Sequence, residues 1–247
     1  MVKLDSKVVV ITGGSHGLGK ALAKACCEEG ARVAILGRNS EKLELAGREI
    51  GAGTTCVTCD IRDPESVRRS FGAIQAQLGR LDALINNAAV YPVFKVESAS
   101  DEQLRSVIDT NVLGAVYCCR EAIPLLRQSR GDIINVSSEA VRFHPPLLSV
   151  YAASKSALET FSQSLRVELA GQGVRVSALR VGHLHREDVS PLDDETYEAM
   201  MQAFEETGFV AATGEGMQLD TVTATVVHLL ALPGDATMDL LELRSRH

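Results

Sequence analysis

Short apolar runs and amphipathic segments alternate along almost the whole chain. The apolar runs are rich in Val, Ile and Leu and nearly continuous, which is typical of parallel strands covered on both faces. They predict seven strands, at residues 7–12, 32–36, 54–59, 83–86, 132–136, 174–179 and 238–243.

Between these runs, apolar residues recur at helical spacing. Two such sets are Leu18, Ala21, Leu22, Ala25 and Cys26, and Leu158, Phe161, Leu165 and Leu169. Residues typical of helix boundaries flank these segments: Pro64 suits a first helical position and Gly30 a helix end, while Gly171 and Gly173 close a later helix. We therefore predict an α/β fold, a doubly wound parallel sheet of about seven strands with helices on both faces.

No linker rich in Pro, Gly or Ser divides the chain, so we predict one domain over residues 1–247. The exception to the alternation is a long polar stretch at 183–216, in which Met200, Met201 and Phe204 form a short helical pattern. This stretch lies between a strand and the last helix. That position predicts a lid over the carboxyl ends of the strands, where open α/β sheets bind ligands.

Charge and hydropathy narrow the choice of partners. The net charge of −7 argues against nucleic acid, whose phosphates require a basic face. No apolar run approaches the ~20 residues that span a bilayer, and the first residues lack an apolar stretch of signal-peptide length. We expect a cytoplasmic protein that binds neither nucleic acid nor membrane.

The six cysteines are Cys26, Cys27, Cys56, Cys59, Cys118 and Cys119. Adjacent cysteines are poor disulfide partners, because neighbouring side chains on a helix point in different directions. The spacing of Cys56 and Cys59 is compatible with zinc or redox chemistry. However, both lie in a predicted strand with no second ligand pair nearby, which favours buried structural thiols and no metal site.

A glycine-rich segment follows the first predicted strand and opens the first helix. Its spacing is Gly-x-x-x-Gly-x-Gly, and glycine there lets the backbone approach a pyrophosphate that the free N–H groups of the helix N-terminus bind. A purely structural turn is the alternative, but this position favours nucleotide binding. The candidate residues are Gly13, Ser15, His16, Gly17, Leu18 and Gly19.

Tyr151 and Lys155 stand one helical turn apart and share a face. A phenol titrates near ~10 in water, and a neighbouring ammonium favours the phenolate and lowers that pKa towards neutrality. Tyr151 is then a candidate general acid for carbonyl reduction and base for alcohol oxidation. Ser138, just beyond a predicted strand, is placed to stabilise charge on the substrate oxygen. Ser137 is the rival candidate, although neighbours on an extended segment face opposite sides.

The glycine segment, Asn86-Asn87-Ala88, Asn111, Ser138 and the Tyr151/Lys155 pair follow one another in an order and spacing that resembles the short-chain dehydrogenase/reductase family, over residues 5 to 245. The resemblance implies a Rossmann-type fold and hydride transfer between a nicotinamide cofactor and a carbonyl or alcohol carbon. It selects Ser138 over Ser137. It also implies that Asn111 holds a water connecting Lys155 to solvent, whereas an Asn inside a helix ordinarily indicates a local backbone bond or a kink.

The second predicted strand ends in Gly37, Arg38 and Asn39. An acid at this point would favour NAD, whereas an arginine suits the 2′-phosphate of NADP(H). Gly37 stands where NAD-preferring relatives carry Asp, and a guanidinium can pair with phosphate and stack on adenine. We therefore expect NADP(H), with a solvated surface arginine as the alternative for Arg38.

By the same resemblance, Asp60 would meet the adenine amino group, and Lys155 would also reach the nicotinamide ribose. A helix-capping acid is the alternative for Asp60 and a turn-forming Asn for Asn87. The remaining residues that the resemblance places at the cofactor are Ile61, Asn87, Ala88, Tyr151, Gly182 and Leu184.

The sequence departs from the family pattern at Ala89, where Gly is usual, at Val181, where Pro is usual, and at Arg186, where Thr binds the nicotinamide amide. These departures put the anchoring of the nicotinamide and the hinge of the lid in doubt.

The chain end also lacks the Asn-Gly-Gly or Asp-Gly-Gly usual in the fatty-acid ketoreductase branch, which disfavours a role in fatty-acid elongation.

Several cationic side chains are predicted near the mouth of the site: Arg142, His144, His183, His185 and Arg186. They could hold a metal through the two histidines at 183 and 185, or receive an anionic or phosphopantetheine-linked carbonyl substrate. A solvated polar loop is the favoured interpretation.

Two functions remain open at this point. One is an NADP(H)-dependent carbonyl reductase or alcohol dehydrogenase, and the other is a non-catalytic NADP(H)-binding relative that regulates a partner. The intact Tyr151/Lys155 pair favours the enzyme.

Family members assemble through the helices around Asn111 and Tyr151, and the small residues Ala152 and Ala153 permit close helix approach, so we expect a homo-oligomer, a tetramer or a dimer.

Overall fold

In the computed structural model, the described residues are 4–51, 53–185, 193–209 and 216–245, and they form a seven-stranded parallel sheet between two layers of helices. The strand order is β3-β2-β1-β4-β5-β6-β7. The strands are β1 (Val8–Thr12), β2 (Arg32–Gly37), β3 (Thr55–Thr58), β4 (Ala83–Asn86), β5 (Asp132–Ser138), β6 (Arg175–Val181) and β7 (Leu240–Leu243). The predicted α/β fold with a doubly wound parallel sheet is therefore confirmed.

The described helices lie between the strands in chain order. They are α1 (Gly17–Glu28), α2 (Ser40–Ile50), α3 (Pro64–Leu78), α4 (Asp101–Ile108), α5 (Ala115–Ser129), α6 (Ala140–Phe143), α7 (Ser149–Glu168), α8 (Asp194–Glu206) and α9 (Leu219–Leu230). Pro64 is the first residue of α3, and the Asp63 side chain accepts hydrogen bonds from the backbone N–H groups of Glu65 and Ser66. Gly30 follows α1 in the left-handed region, with φ of 92°.

Each strand sends alternate side chains to opposite faces of the sheet. Val9 and Ile11 of β1 pack in one core cluster with apolar residues of α1 and α9. Val8 and Val10 pack in the other, with residues of α3 and α5. Because both faces are covered, a strand such as β1 is apolar at every core position, which is why the sequence shows continuous runs rather than alternation.

The two cysteines at Cys-x-x-Cys spacing belong to opposite faces of the sheet. Cys56 packs beside the cluster that contains α1, whereas Cys59 is buried in the cluster that contains α3. All six thiols are free, and burial raises the pKa of Cys119 to about 12. Cys26, Cys59, Cys118 and Cys119 are buried, as predicted for structural thiols, whereas Cys27 and Cys56 are half-buried. Within the described ranges, no three His, Cys, Asp or Glu side chains are grouped to hold a metal ion.

The predicted lid at 183–216 is described only in part, because residues 186–192 and 210–215 lie outside the described ranges. Its described portion contains α8, where Phe204 is buried and its ring stacks at an angle on Phe209, with centroids 4.8 Å apart. Among the helices that the structure describes, none combines the length and apolar character needed to cross a membrane.

Candidate active site

A cavity of about 1210 Å³ lies at the carboxyl ends of the strands, beside the point where the strand order reverses between β1 and β4. Every residue that the sequence predicted to bind a cofactor lines it. These residues are Gly13, Ser15, His16, Gly17, Leu18, Gly19, Gly37, Arg38, Asn39, Asp60, Ile61, Asn87, Ala88, Tyr151, Lys155, Gly182 and Leu184. The strands thus bring segments far apart in the chain to one edge of the sheet.

The glycine turn between β1 and α1 requires its glycines. Gly13 has a φ of 70° and Gly17 a φ of 52°, both in the left-handed region that side chains disfavour. A Cβ on Gly19 would lie 2.2 Å from the Gly13 carbonyl oxygen. No side chain in the described part of the chain caps the N-terminus of α1. Because the first N–H groups of a helix have no intrahelical partner, this end can bind an anion.

Thr12 joins the ends of β1 and β4 under this turn. Its hydroxyl accepts hydrogen bonds of 3.0 Å from the backbone N–H groups of Asn87 and Ala88, and its carbonyl accepts one of 3.0 Å from the Asn87 side chain. Asn87 is therefore a bridge between strands, not only a turn residue. No local pattern in the sequence distinguishes Thr12 from other threonines at the ends of strands.

At the far end of the cavity, three cationic side chains and one carboxylate line the wall. Arg38 and Lys42 line this end, and Arg62 binds both carboxylate oxygens of Asp60, with a shortest distance of 2.6 Å. Hydrogen bonding from Arg62 lowers the pKa of Asp60, and the charge of Arg38 lowers it further. Asp60 is not the cap of α3, since Asp63 has that role. Asn39, predicted to bind the cofactor, caps α2.

The Tyr151/Lys155 pair lies at the middle of the cavity, on the face of α7 that packs against β5. Lys155 is 2% exposed, and its Nζ donates a 2.7 Å hydrogen bond to the Val136 carbonyl. Burial lowers the pKa of Lys155 from 10.5 to about 8. Its Nζ is 5.8 Å from the centroid of the Tyr151 ring.

The expected lowering of the Tyr151 pKa is wrong for this structure. Burial raises the pKa of Tyr151 above its ordinary value, and the negative charge of Glu139 raises it further. A hydrogen bond from Ser138 to the phenol opposes both effects. The physical reason is that the Lys155 ammonium group is directed to the Val136 carbonyl, so loss of water around the phenol dominates.

The choice between the two serines agrees with the strand geometry. Ser138 reaches the Tyr151 phenol, and its hydroxyl also accepts a 3.2 Å hydrogen bond from the Ala140 N–H. The Ser137 hydroxyl donates instead to the buried Glu159 carboxylate, at 2.6 Å. Strand β5 runs to Ser138, two residues beyond the predicted end, because Ser137 and Ser138 pair with β6.

Asn111 lies in a π-helical turn, Asp109–Gly114, between α4 and α5. Its side-chain oxygen accepts from the Val90 N–H at 2.8 Å, and its Nδ2 donates to the Val90 carbonyl at 2.9 Å and to Ser154 at 3.0 Å. It is absent from the described cavity lining. Asn111 thus joins the segment after β4 to α7 beside Tyr151, a positioning contact that differs from the water-holding role implied by the resemblance.

At the end of β6, Val181 replaces the usual Pro and pairs with both Ser138 and Leu243. Gly182 follows in a narrow space, because a Cβ there would lie 2.7 Å from a carboxylate oxygen of Glu139 and 2.9 Å from the Leu243 carbonyl oxygen. Arg186, the third departure from the family pattern, lies outside the described residues.

Among the described residues, not all of the cations predicted near the mouth reach the cavity wall. Of Arg142, His144, His183 and His185, only His183 lines the cavity. The Arg142 side chain pairs with Glu242, at 3.4 Å, and the backbone N–H of His185 donates to the Met217 carbonyl. Burial lowers the pKa of His183, and the charge of the neighbouring histidine lowers it further.

The remainder of the lining near Tyr151 is mostly apolar. The Tyr91 and Tyr151 rings are 5.8 Å apart, and the connection between β5 and α7 contributes Phe143 and Leu148. Helix α8 and the residues after it add Tyr197, Met200, Phe204 and Phe209. Sequence reasoning missed Tyr91, Glu139, Lys42 and Arg62, since no local pattern says that these loop and helix residues face the same cavity.

The sequence matches a family model described as short chain dehydrogenase over residues 7–197. It is 34% identical over 183 residues to a 3beta-hydroxysteroid dehydrogenase of Mediterraneibacter gnavus, covering 72% of this chain and 66% of that protein. It is 33% identical over 190 residues to a 3-oxoacyl-[acyl-carrier-protein] reductase of Bos taurus, covering 76% of this chain and 80% of that protein.

Among solved structures, the fold is similar to that of a 3-ketoacyl-(acyl-carrier-protein) reductase from Brucella melitensis complexed with NADH. The TM-score is 0.84 at 25% identity, and the alignment covers 98% of both chains. The family match covers well over half of the sequence, the sheet has the order expected of a doubly wound fold, and the chain covers 80% of a relative to which it is 33% identical. The chain therefore belongs to the short-chain dehydrogenase family.

Proposed function

We propose that this protein is an NADP(H)-dependent oxidoreductase that transfers a hydride between the nicotinamide and a carbonyl or secondary alcohol carbon, with Tyr151 as general acid and base. The observation that carries the proposal is the meeting of Tyr151, Ser138 and the buried Lys155 in one cavity that extends to the glycine turn. The named relatives, a hydroxysteroid dehydrogenase and an oxoacyl reductase, act on substrates of this kind by name.

The cavity fits a nicotinamide dinucleotide. Glycines 13, 17 and 19 leave room for a pyrophosphate where any Cβ would collide or strain the backbone, and the uncapped N-terminus of α1 supplies N–H groups for it. Lys155 lies between this turn and the substrate end, where its ammonium group can reach a ribose hydroxyl as well as the Val136 carbonyl.

The far end of the cavity favours the phosphorylated form of the cofactor. Arg38, Lys42 and Arg62 bring three positive charges, against the single carboxylate of Asp60. A 2′-phosphate would be attracted to this excess of cations, and Arg38 can bind it through two N–H groups. Arg62 also holds the Asp60 carboxylate, which reduces the repulsion that a phosphate would meet there.

When bound, NADPH supplies the hydride that adds to the carbonyl carbon. Tyr151 donates its phenolic proton to the carbonyl oxygen, so the C=O bond becomes CH–OH, and Ser138 donates a hydrogen bond to the same oxygen as charge develops. The Lys155 ammonium group stabilises the phenolate left behind until a proton returns from solvent. Alcohol oxidation runs the same steps in reverse, with the Tyr151 phenolate as base.

We expect the enzyme to be a cytoplasmic carbonyl reductase.

The test compares NADPH and NADH consumption with a panel of neutral ketones and aldehydes, in the wild type and in Tyr151→Phe. The variant should bind NADPH and lose nearly all turnover, because phenylalanine cannot donate a proton. Tyr117→Phe, which removes the same hydroxyl from a tyrosine on α5 beside Arg120, is the matched control and should keep its rate.

Two results would contradict the proposal. Equal turnover in Tyr151→Phe and wild type would remove Tyr151 as the acid. A wild-type protein that binds NADPH tightly but turns over no member of the panel would favour the non-catalytic, regulatory alternative.

A further inference from the structure

The Phe143 ring lines the cavity from a segment that is too short to be stable alone. Phe143 is the last residue of α6, a helix of four residues. A single helical turn is marginal without tertiary contacts. In the connection that follows, His144 and Leu147 have φ of 54° and 64°, a left-handed conformation that persists for such residues only where the surroundings hold it. The position of the ring therefore depends on contacts from other elements.

Two guanidinium groups lie over this ring. The guanidinium carbon of Arg142 is 5.8 Å from the ring centroid, and that of Arg244 is 5.1 Å from it. Both distances are within the about 6 Å at which a cation and an aromatic face attract each other. Arg142 is the neighbour of Phe143 on α6, whereas Arg244 belongs to the segment after β7. Arg244 is thus the contact that joins the ring to a distant part of the chain.

The backbone at Arg244 is anchored to the end of β6. Arg244 follows Leu243, which pairs with Val181, and the Leu243 carbonyl accepts a 2.8 Å hydrogen bond from the Gly182 N–H. A Cβ on Gly182 would lie only 3.2 Å from the Arg244 Cα, so glycine at this position lets the segment after β7 approach β6 closely. The Arg244 side chain therefore starts from a fixed point.

Hydrogen bonding at Nε does not explain where the Arg244 side chain lies. Within the described part of the chain, this Nε is buried and has no hydrogen-bond partner. A buried donor without a partner is unfavourable, so its position has to be compensated by other contacts. A planar, weakly hydrated guanidinium packs well on an aromatic face. The stacking on Phe143 is a contact of this kind.

Arg142, the second cation over the ring, is also held from β7. Its side chain pairs with Glu242 of β7 at 3.4 Å. Glu242 also accepts a 3.0 Å hydrogen bond from Arg180, which binds Glu159 of α7 through two N–H groups at 2.7 and 3.0 Å. Both guanidinium groups over the Phe143 ring are therefore connected to β7, one through an ion pair and the other through the backbone.

We propose, on the basis of the function proposed above, that Arg244 is a positioning residue for the substrate: from the end of β7 it holds the Phe143 ring in the cavity wall without touching the reacting atoms. Arg244 is not among the described residues that line the cavity. It acts on substrate affinity through Phe143. The chemical step depends instead on Ser138 and Tyr151, which the pairing of β5 with β6 and helix α7 hold independently.

The kinetic test separates substrate affinity from turnover. Arg244→Met keeps a long side chain and removes the guanidinium, so KM for a ketone should rise roughly tenfold, while kcat and KM for NADPH change by less than roughly twofold. Arg244→Lys keeps a cation near the ring and should recover most of the affinity. A merely structural role would instead lower kcat and NADPH affinity together, and that result would contradict the proposal.

Arg120→Met is the matched control. Arg120 lies over the Tyr117 ring, with 5.3 Å between its guanidinium carbon and the ring centroid, and neither residue is among those that line the described cavity. The substitution removes the same kind of stack from another surface and should leave both KM values unchanged.

Binding without turnover separates this inference from the function on which it rests. Labelling the six phenylalanines as 4-fluorophenylalanine gives a fluorine NMR resonance for Phe143, identified by its absence in Phe143→Leu. The probes are cyclohexanone, acetophenone and levulinate, added in the presence of NADP⁺, which cannot reduce them. Titration of each ketone against the Phe143 resonance gives its dissociation constant.

Arg244→Met should move the Phe143 resonance before any ketone is added, and should then weaken ketone binding roughly tenfold, with Arg244→Lys in between. This result supports the inference even if no turnover is measured. A Phe143 resonance that stays in place in Arg244→Met, a wild-type resonance that none of the ketones moves, or equal ketone binding in both proteins overturns the inference even if Tyr151 proves to be the acid.

Discussion

Lys155 combines a buried position with a single partner among the described hydrogen bonds, the Val136 carbonyl. Burial of an ammonium group is unfavourable, which is why its pKa falls from 10.5 to about 8. A buried residue that lowers the stability of the folded state and lies in the proposed site is typical of an active site, where function often reduces stability. The lowered pKa of Lys155 therefore predicts a pH dependence of stability that can be measured without any substrate.

The stability of the wild type should rise with pH between about 8 and 10.5, the folded and ordinary values of this pKa. In that window the unfolded chain binds the proton of Lys155 and the folded chain does not, so raising the pH favours the folded state. Lys155→Met should be more stable than wild type below about pH 8, by on the order of 3 kcal/mol, and lose this advantage towards the upper end of the window. Urea unfolding of both proteins across the window measures it. A stability difference that is constant with pH would contradict the burial of a charged lysine.

Arg38 decides the cofactor preference in our proposal. Arg38→Asp places a carboxylate where the 2′-phosphate would bind, so we expect the ratio of kcat/KM for NADPH over NADH to fall by roughly a hundredfold. Arg48→Asp makes the same charge change near the end of α2, where Arg48 pairs with Glu44 in solvent, and should shift the ratio little. The measurement is initial rates with both cofactors; a wild type that prefers NADH would contradict the assignment before any variant is made.

At the scale of elements, charged side chains connect α7 to three strands behind the site. Glu159, one turn beyond Lys155 on α7, accepts from Arg180 of β6 at 2.7 Å and from Ser137 of β5 at 2.6 Å. Arg180 also donates to Glu242 of β7 at 3.0 Å. Because Ser137 precedes Ser138 and Arg180 precedes Val181, this network holds the ends of β5 and β6 against the helix that carries Tyr151.

Glu159→Gln should lower the free energy of unfolding by about 3 kcal/mol, because Arg180 would be left half-buried with part of its charge uncompensated. Arg142→Gln removes the opposite, exposed end of the same network, where the distance is 3.4 Å, and should cost less than about 1 kcal/mol. Thermal or urea unfolding of both variants measures the difference. Equal losses would mean that burial does not distinguish the two pairs.

At the scale of the whole molecule, the number of strands and their positions along the chain were predictable because each strand is an apolar run covered on both faces. Strand ends were less predictable, since pairing decides them: β6 continues to Val181 because Leu243 pairs with it, and β7 begins only at Leu240. The glycine turn and the Tyr151/Lys155 pair were predictable from local spacing. The position of Glu139 in the cavity and the direction of the Tyr151 pKa shift were not predictable, because both depend on burial and on contacts between segments far apart in the chain.

The expected oligomer also belongs to this scale. Leu113 and Val167 are large apolar residues that remain exposed on the π-helical turn and α7, Val167 to 77%. We expect a dimer or tetramer that buries these two residues, so that Leu113→Asp combined with Val167→Asp shifts the protein to a smaller species. Light scattering after gel filtration measures the mass. Leu45→Asp, a matched change at an exposed leucine of α2, should leave the assembly intact; a monomeric wild type would contradict the expectation.

The ladder between β5 and β6 joins seven consecutive residue pairs and ends at Ser138 and Val181. We expect backbone amides in so long a ladder between two interior strands to exchange their hydrogens only when the whole domain opens. In the proposed mechanism, Ser138 therefore lies on a strand that opens only with the whole domain, and Tyr151 lies on α7, which packs against that strand. On heating, catalytic activity should remain until the whole domain unfolds and should then be lost together with the folded state, rather than decrease at lower temperatures.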